Sequence, residues 1–161
     1  MRFGFSYTGL IFLIMLFVPN MIWAKLKPKD YEKYVGNESR LLLVFERIGE
    51  IAVSCLLLIF DDLNVRACGA WIIWLIAAFA LMVLYEIYWI RYFKSERTML
   101  DQYRDILGIP LAGATLPVCA VLLLAVYAGN PFLLAAGVIL GIGHIGIHAA
   151  HRKEALEEQK K

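Results

Sequence analysis

Long apolar runs separated by short polar segments dominate the pattern of residues along the chain. Each of five runs is about 20 residues long, the length that an α-helix needs to cross the roughly 30 Å hydrocarbon core of a bilayer. None of them alternates apolar and polar positions as a membrane barrel strand does. The pattern therefore predicts an all-α integral membrane protein with about five transmembrane helices. The predicted spans cover residues 5–24, 41–60, 67–90, 109–127 and 131–150.

The polar segments between the runs contain turn-forming residues or helix signals. Tight connections are predicted at 61–66 and 129–131, where Asp, Asn, Gly and Pro are concentrated. The segment 91–108 is expected to form a short interfacial helix between the third and fourth spans. Ser95 would be its N-cap and Gly108 would end it.

The basic residues indicate how the helices are oriented. With five crossings, the segments 25–40, 91–108 and 151–161 lie on the same side, and they contain all but three of the 16 Lys and Arg residues. Cytoplasmic loops of membrane proteins carry the excess of Lys and Arg. We therefore expect a multi-pass protein of the cell membrane with its N-terminus outside, its C-terminus inside and residues 151–161 as a cytoplasmic tail.

Composition supports one membrane domain over residues 1–161. Hydrophobic residues make up 61% of the chain and charged residues 19%, against about 45–50% and 25% in an average soluble domain. The lipid bilayer is thus the expected partner, and no feature predicts nucleic-acid binding. A second interpretation makes residues 1–24 a cleaved signal peptide, but Ile22 stands where a small residue is preferred. We therefore expect a retained first helix.

Polar and ionisable side chains inside the predicted spans are the candidates for function. A charged residue at the centre of a spanning helix costs about 2.5–3.5 kcal/mol on insertion scales, so such residues mark functional sites by default. The candidates come from four different spans, and all of them lie in the cytoplasmic half of the predicted bundle. They are Asn20, Glu46, Arg47, Glu50, Glu86, His144 and His148.

The last span predicts which way its histidines point. His144 and His148 are four residues apart and therefore share one face of a helix. Gly137 and Gly141 continue the same face, and small residues allow helices to approach closely in lipid. We expect this face to point into the bundle and to bring both histidines with it.

The charges of the candidates predict a cation site as one of several outcomes. Three carboxylates face one guanidinium, and an apolar environment does not tolerate this uncompensated charge. Protonated carboxylates, charged histidines, water from the cytoplasm or a bound cation would each resolve the imbalance. A divalent metal such as Zn²⁺, Mn²⁺ or iron would have His144, His148, Glu50 and Glu86 as its predicted ligands.

Three functions are compatible with this pattern. The first is a cytoplasm-facing cavity that binds or transports a proton, a metal cation or a small polar solute, with homo-oligomerisation supplying a complete path. The second is an inner-leaflet enzyme that acts on a lipid or prenyl substrate, with His144 or His148 as general base and Arg47 binding an anion. The third is a structural or partner subunit whose buried charges only set the helix register. Whether the protein is an enzyme is left open by its sequence.

Each candidate also has a purely structural explanation. Arg47 can form a local ion pair with Glu50 or Glu86, and a histidine can be satisfied by a backbone carbonyl or a Tyr hydroxyl. Convergence of these side chains from separate helices around one cavity distinguishes a site from isolated local pairs.

Overall fold

The computed structural model describes residues 1–34, 38–66 and 69–160, and over these residues it is helical with no β-strand. Five long helices form the bundle, with a four-residue helix, α4, between the third and the fourth of them. The helices are α1 (Tyr7–Lys25), α2 (Arg40–Ile59), α3 (Ile73–Phe93), α4 (Met99–Gln102), α5 (Ala112–Ala128) and α6 (Pro131–Glu158). Single 3₁₀ turns lie at Tyr31–Lys33, Asp61–Leu63 and Gly69–Ile72.

Three helices are long and apolar enough to cross a membrane by length and composition: Tyr7–Lys25, Gly69–Phe93 and Pro131–Glu158. They indicate a multi-pass membrane protein. Helix α5 is apolar but has only 17 residues. Helix α2 has 20 residues but carries charged side chains in its middle.

The N-terminal residues and the connection between α2 and α3 lie at one end of the bundle. The backbone N–H of Gly4 donates to the carbonyl of Ile59 over 3.0 Å. The hydroxyl of Tyr127, near the end of α5, donates to the carbonyl of Asn64 over 3.2 Å. These bonds connect the first residues, the end of α2 and the end of α5.

The three basic segments meet at the opposite end. The backbone N–H of Lys29 donates to the carbonyl of Arg97 over 2.9 Å. The hydroxyl of Tyr34 donates to the carboxylate of Glu158 over 2.7 Å. The connections of the five long helices therefore alternate between the two ends, and the basic loops share one of them.

Helices α2 and α6 are in close backbone contact because glycines lie where they cross. A Cβ atom built on Gly143 would be 2.2 Å from the backbone nitrogen of Glu46, and one on Gly49 would be 2.5 Å from the Cα atom of Leu140. No side chain larger than hydrogen fits at either position without a shift of the backbone. This crossing brings the middle of α2 against the middle of α6.

The predicted glycine face of the last span packs against α5. A Cβ atom on Gly137 would be 2.9 Å from a methyl carbon of Leu122, and one on Gly141 would be 3.0 Å from a methyl carbon of Val118. The glycines predicted from sequence therefore contact one neighbouring helix, whereas Gly143 contacts another, α2. Helix α6 thus packs on two sides through glycine.

The segment 91–108 does not form the interfacial helix that the sequence predicts. Helix α3 continues to Phe93, and Ser95 bonds back to the last turn of α3. Thr98 is the N-cap of α4, where its hydroxyl accepts a bond from the N–H of Asp101 over 3.1 Å. Only one helical turn follows, and the chain later makes a tight turn in which Gly108 has a φ of 77°. The prediction was wrong in the extent and in the N-cap of this helix.

The predicted tail is helical over most of its length. Helix α6 extends to Glu158, so most of 151–161 continues the last span as a helix. In this extension the side chain of Arg152 contacts the carboxylate of Asp105 over 2.9 Å. The tail is therefore attached to the loop between α4 and α5.

Candidate functional site

A cavity of about 300 Å³ lies among α1, α2, α3 and α6 at the basic end of the bundle. Residues of all six helices and of the segment before α2 form its wall. Its charged and imidazole groups are Glu38, Glu46, Arg47, Glu50, His144, His148 and His151.

Glu46, His144 and His148 form the centre of this site. The Nδ1 atom of His144 is 2.6 Å from a carboxylate oxygen of Glu46. The rings of His144 and His148 lie edge to face with centroids 4.5 Å apart. One ligand atom from each of the three residues lies within 4.8 Å of the other two. All three side chains are half-buried.

The sequence brings these three side chains together through helix periodicity and helix packing. His144 and His148 are one turn apart on α6, so they lie one above the other on the same face. Gly143 lets the backbone of α2 approach that turn of α6, which places Glu46 next to His144. Glu46 and His144 are 98 positions apart in the chain.

Tyr103 connects His148 to a third histidine. The Tyr103 hydroxyl is 3.1 Å from Nδ1 of His148 and 3.3 Å from Nδ1 of His151. Burial raises the pKa of the Tyr103 phenol well above its usual range, so the hydroxyl keeps its proton at neutral pH. On the far side, Nε2 of His151 lies 3.3 Å from a carboxylate oxygen of Glu38, a close electrostatic contact whose angle falls short of a hydrogen bond.

These contacts favour one arrangement of protons. A carboxylate accepts only, so Nε2 of His151 carries the proton next to Glu38, and its Nδ1 accepts from Tyr103. The Tyr103 oxygen then accepts from Nδ1 of His148. His148 is left with an Nε2 lone pair, and His144, which donates from Nδ1 to Glu46, has one too. Both histidines of the centre thus present a free nitrogen lone pair.

Arg47 and Glu50 form an ion pair beside the centre. The guanidinium of Arg47 is 3.0 Å from a carboxylate oxygen of Glu50, and their side chains are 73% and 42% exposed. Both residues line the cavity, but they are paired with each other along one face of α2. Glu50 therefore does not take the place beside the histidines that the sequence predicts, and Glu46 occupies it.

Glu86 lies apart from the other candidates. It is half-buried on α3, lines neither of the cavities that contain His144, and has a buried carboxylate oxygen without a hydrogen-bond partner in the described part of the chain. Its neighbour Tyr85 does line the cavity. Adjacent residues of a helix point about 100° apart, so the rotation of α3 brings the tyrosine to the site rather than Glu86.

Asn20 lies in the cavity wall on α1, which continues as one helix through Pro19. The side-chain amide of Asn20 donates to the carbonyl of Leu16 over 2.7 Å and to the hydroxyl of Tyr85 over 3.1 Å. Asn20 therefore connects α1 to α3 at the edge of the site.

Sequence reasoning missed three residues of this site. His151 falls just outside the predicted span 131–150, although it lies three residues after His148 on the same helix, a spacing that indicates a shared face. Tyr103 falls in the segment 91–108, for which the sequence predicts a longer helix than the structure contains. Glu38 gave no signal, because only the packing of its segment against α6 brings it to His151.

No known protein family, curated protein or solved structure matches this chain.

Proposed function

We propose that this chain is a five-span membrane protein that binds a divalent transition-metal cation in a cavity open to the cytoplasm. Glu46, His144 and His148 are the proposed ligands. The observation that carries the proposal is that one ligand atom of each residue lies within 4.8 Å of the others. These residues come from two helices far apart in the chain.

The proposed five spans include α2 and α5 with the three helices that qualify by length and hydropathy. Helix α2 has 20 residues and would extend about 30 Å, enough to cross the hydrocarbon core. Its charged residues line the cavity. Helix α5 is shorter, but it is buried against α3 and α6 over most of its 17 residues. The alternation of the connections between two ends agrees with five crossings.

The gathering of the basic segments at the cavity end supports the proposed orientation. Cytoplasmic loops carry the excess of Lys and Arg, so this end faces the cytoplasm. The cavity then receives its cation from the cytoplasmic side.

The ligand set matches the chemistry of a transition metal. Imidazole nitrogen with carboxylate oxygen suits Zn²⁺, Mn²⁺, Fe²⁺ and Co²⁺, whereas Mg²⁺ and Ca²⁺ prefer oxygen alone. Histidine ligands are normally held by a partner on the second ring nitrogen. Tyr103 is that partner for His148. Three protein ligands leave a further coordination position open to the cavity.

Electrostatics supports the same proposal. Around the cavity, the carboxylates of Glu38, Glu46 and Glu50 outnumber the guanidinium of Arg47. With neutral histidines this leaves an excess of negative charge in a region of low dielectric, where it is unfavourable. A divalent cation offsets the excess directly.

The test is metal binding by the purified protein in lipid nanodiscs after removal of metal with a chelator. Titration calorimetry with Zn²⁺, Mn²⁺ and Co²⁺ should show one site per chain for at least one of them. Glu46→Gln should weaken that binding by at least about 100-fold, since it removes a charged ligand. Bound Co²⁺ should also give the visible absorption of a site with nitrogen ligands.

Glu86→Gln is the matched control. It makes the same chemical change in another helix of the bundle, away from the histidines, so its metal affinity should equal that of the wild type. Absence of stoichiometric binding for all three metals, or an equal loss in the two variants, would contradict the proposal.

A further inference from the structure

A second, larger cavity adjoins the proposed metal site. It has a volume of about 620 Å³, within the ~300–1,000 Å³ that is usual for small-molecule sites. Side chains of α1, α2, α5 and α6 form it together with Tyr85 of α3, and most of them are apolar. Those that make up its apolar body are Leu16, Phe17, Ile51, Val118, Val121 and Leu140.

The two cavities share one part of their walls. The residues that line both of them are Asn20, Trp23, Arg47, Glu50, Tyr85 and His144. The larger cavity is therefore apolar along most of its length and polar at the end that meets the metal site. A ligand that fills it must likewise combine a long apolar part with a polar end.

The cavity exists because α1 and α2 approach closely at only one end. A Cβ atom on Gly9 would lie 1.7 Å from the carbonyl oxygen of Leu57, so the two backbones are in direct contact there. Asn20 lies eleven positions further along α1, roughly 16 Å away. At that level both helices line the cavity instead of packing on each other.

The ion pair of Arg47 and Glu50 is open at this gap. Their side chains are 73% and 42% exposed, and both lie in the part of α2 that faces the gap. An ion pair left against acyl chains is costly. A ligand with a polar head at this level would cover the pair, and its hydrocarbon chain would cover the apolar wall.

We propose that this cavity binds an amphiphile with one long hydrocarbon chain and an anionic oxygen head, a carboxylate or a phosphate. A head oxygen takes the open coordination position of the cation held by Glu46, His144 and His148. The hydrocarbon chain lies between α1 and α2. The proposal rests on the proposed function, because the cation supplies the coordination position that the head oxygen takes.

Two exposed cysteines provide the test. Cys55 lines the larger cavity, whereas Cys119 on α5 lines neither cavity. The protein in phosphatidylcholine nanodiscs is alkylated with a membrane-permeant maleimide, and the rate at each cysteine is followed by peptide mass spectrometry. Dodecanoate and dodecyl phosphate are the probes, and dodecan-1-ol is the control with the same chain and no anionic head. Each is added to metal-loaded and to metal-free protein.

Dodecanoate or dodecyl phosphate should slow the alkylation of Cys55 in the metal-loaded protein, by about tenfold at ten times the Kd of the probe. The rate at Cys119 should not change. The protection should be weak with dodecan-1-ol, in the metal-free protein and in Glu46→Gln, and full in Glu86→Gln. The probe that slows the alkylation of Cys55 more strongly shows whether the head is a carboxylate or a phosphate.

The possible failures are distinguishable, because the metal content of each sample is measured by elemental analysis. If the metal binds but no probe protects Cys55, the amphiphile site is refuted and the metal site stands. Equal protection by dodecan-1-ol, or equal protection without metal, refutes the contact between head and cation. Slow alkylation of Cys55 in every arm identifies a bilayer lipid as the occupant and refutes the single-chain ligand. If no metal binds, the proposed function fails and this proposal fails with it.

Discussion

At the scale of single residues, Tyr103 orients the imidazole of His148. Its buried hydroxyl lies between Nδ1 of His148 and Nδ1 of His151, and the carboxylate of Glu38 lies beyond His151. This chain of contacts leaves the free lone pair of His148 on Nε2. Partners of this kind orient a ligand and select its tautomer, and their loss typically costs 10–100-fold in metal affinity.

We expect Tyr103→Phe to weaken metal binding by about 10–100-fold while all three ligands remain. The ring still packs, but Nδ1 of His148 loses its partner, and the imidazole is free to adopt the other tautomer. Competition titration against a chromophoric chelator measures the affinity.

Tyr34→Phe is the control for this substitution. Tyr34 is also buried at the basic end of the bundle, and its hydroxyl bonds to Glu158 rather than to a histidine. Burial, together with the bond to Glu158, raises the pKa of Tyr34 to about 12, so this hydroxyl is neutral as well. An equal loss of affinity in both variants would show that the effect is general destabilisation.

At the scale of the elements, the crossing of α2 and α6 determines which side chains meet at the site. Gly143 and Gly49 bring the two backbones into contact, so that the carboxylate of Glu46 reaches Nδ1 of His144 over 2.6 Å. A carboxylate one turn further along α2, Glu50, pairs with Arg47 instead. The distance between two helices thus selects which of two similar residues takes part.

Gly143→Ala should lower the stability of the protein by about 1–3 kcal/mol, the usual cost of overpacking. It should also weaken metal binding, because a Cβ atom 2.2 Å from the backbone nitrogen of Glu46 forces α2 away from α6. Thermal unfolding in detergent and metal titration measure the two effects.

Gly146→Ala, one turn along the same face, is the matched variant. Its Cβ atom would meet the tips of the Leu42 side chain at 3.1 Å, and these can move aside. Little change is expected in stability or metal affinity. A loss of the same size as for Gly143→Ala would contradict the role of backbone contact.

At the scale of the whole molecule, the end opposite to the proposed metal site is held together by a buried carboxylate. Asp62 accepts a hydrogen bond from the backbone N–H of Arg2 and lies 3.5 Å from the guanidinium of Arg66. Only 6% of its side chain is exposed. Burial raises the pKa of Asp62, but the bond from Arg2 and the positive charges around it prevail and hold the pKa below its ordinary value.

The lowered pKa of Asp62 predicts how stability depends on pH. Its carboxylate stabilises the fold fully above the unfolded-state pKa of about 4, and this contribution is lost as the pH falls through the lower folded-state pKa. Asp62→Asn should therefore be less stable than the wild type at pH 7, with the difference shrinking below about pH 4. Thermal unfolding across a pH series measures this.

Asp61→Asn is the neighbouring control. The Asp61 side chain is 32% exposed and its partner Arg2 is 68% exposed, and ion pairs with so open a partner contribute little. Its unfolding curve should follow that of the wild type at every pH. A pH-independent difference for Asp62→Asn would contradict the assignment of the buried carboxylate.

The sequence by itself determined the five long helices, the end of the bundle at which the basic loops meet and most of the charged and imidazole residues in the cavity wall. These follow from local properties, because hydropathy, run length and spacing along one helix do not depend on the neighbouring chain. The pair of histidines is a direct example, since a spacing of four residues places them on one face of any helix.

Only the tertiary structure decided which of these residues meet. The rotation of each helix about its axis and its approach to its neighbour place Glu46, rather than Glu50 or Glu86, beside the histidines. They also bring Tyr103 and Glu38 to the site. Rotation and approach are set by contacts between residues remote in the chain, such as Gly143 of α6 against the backbone of α2. No pattern within a single helix contains that information.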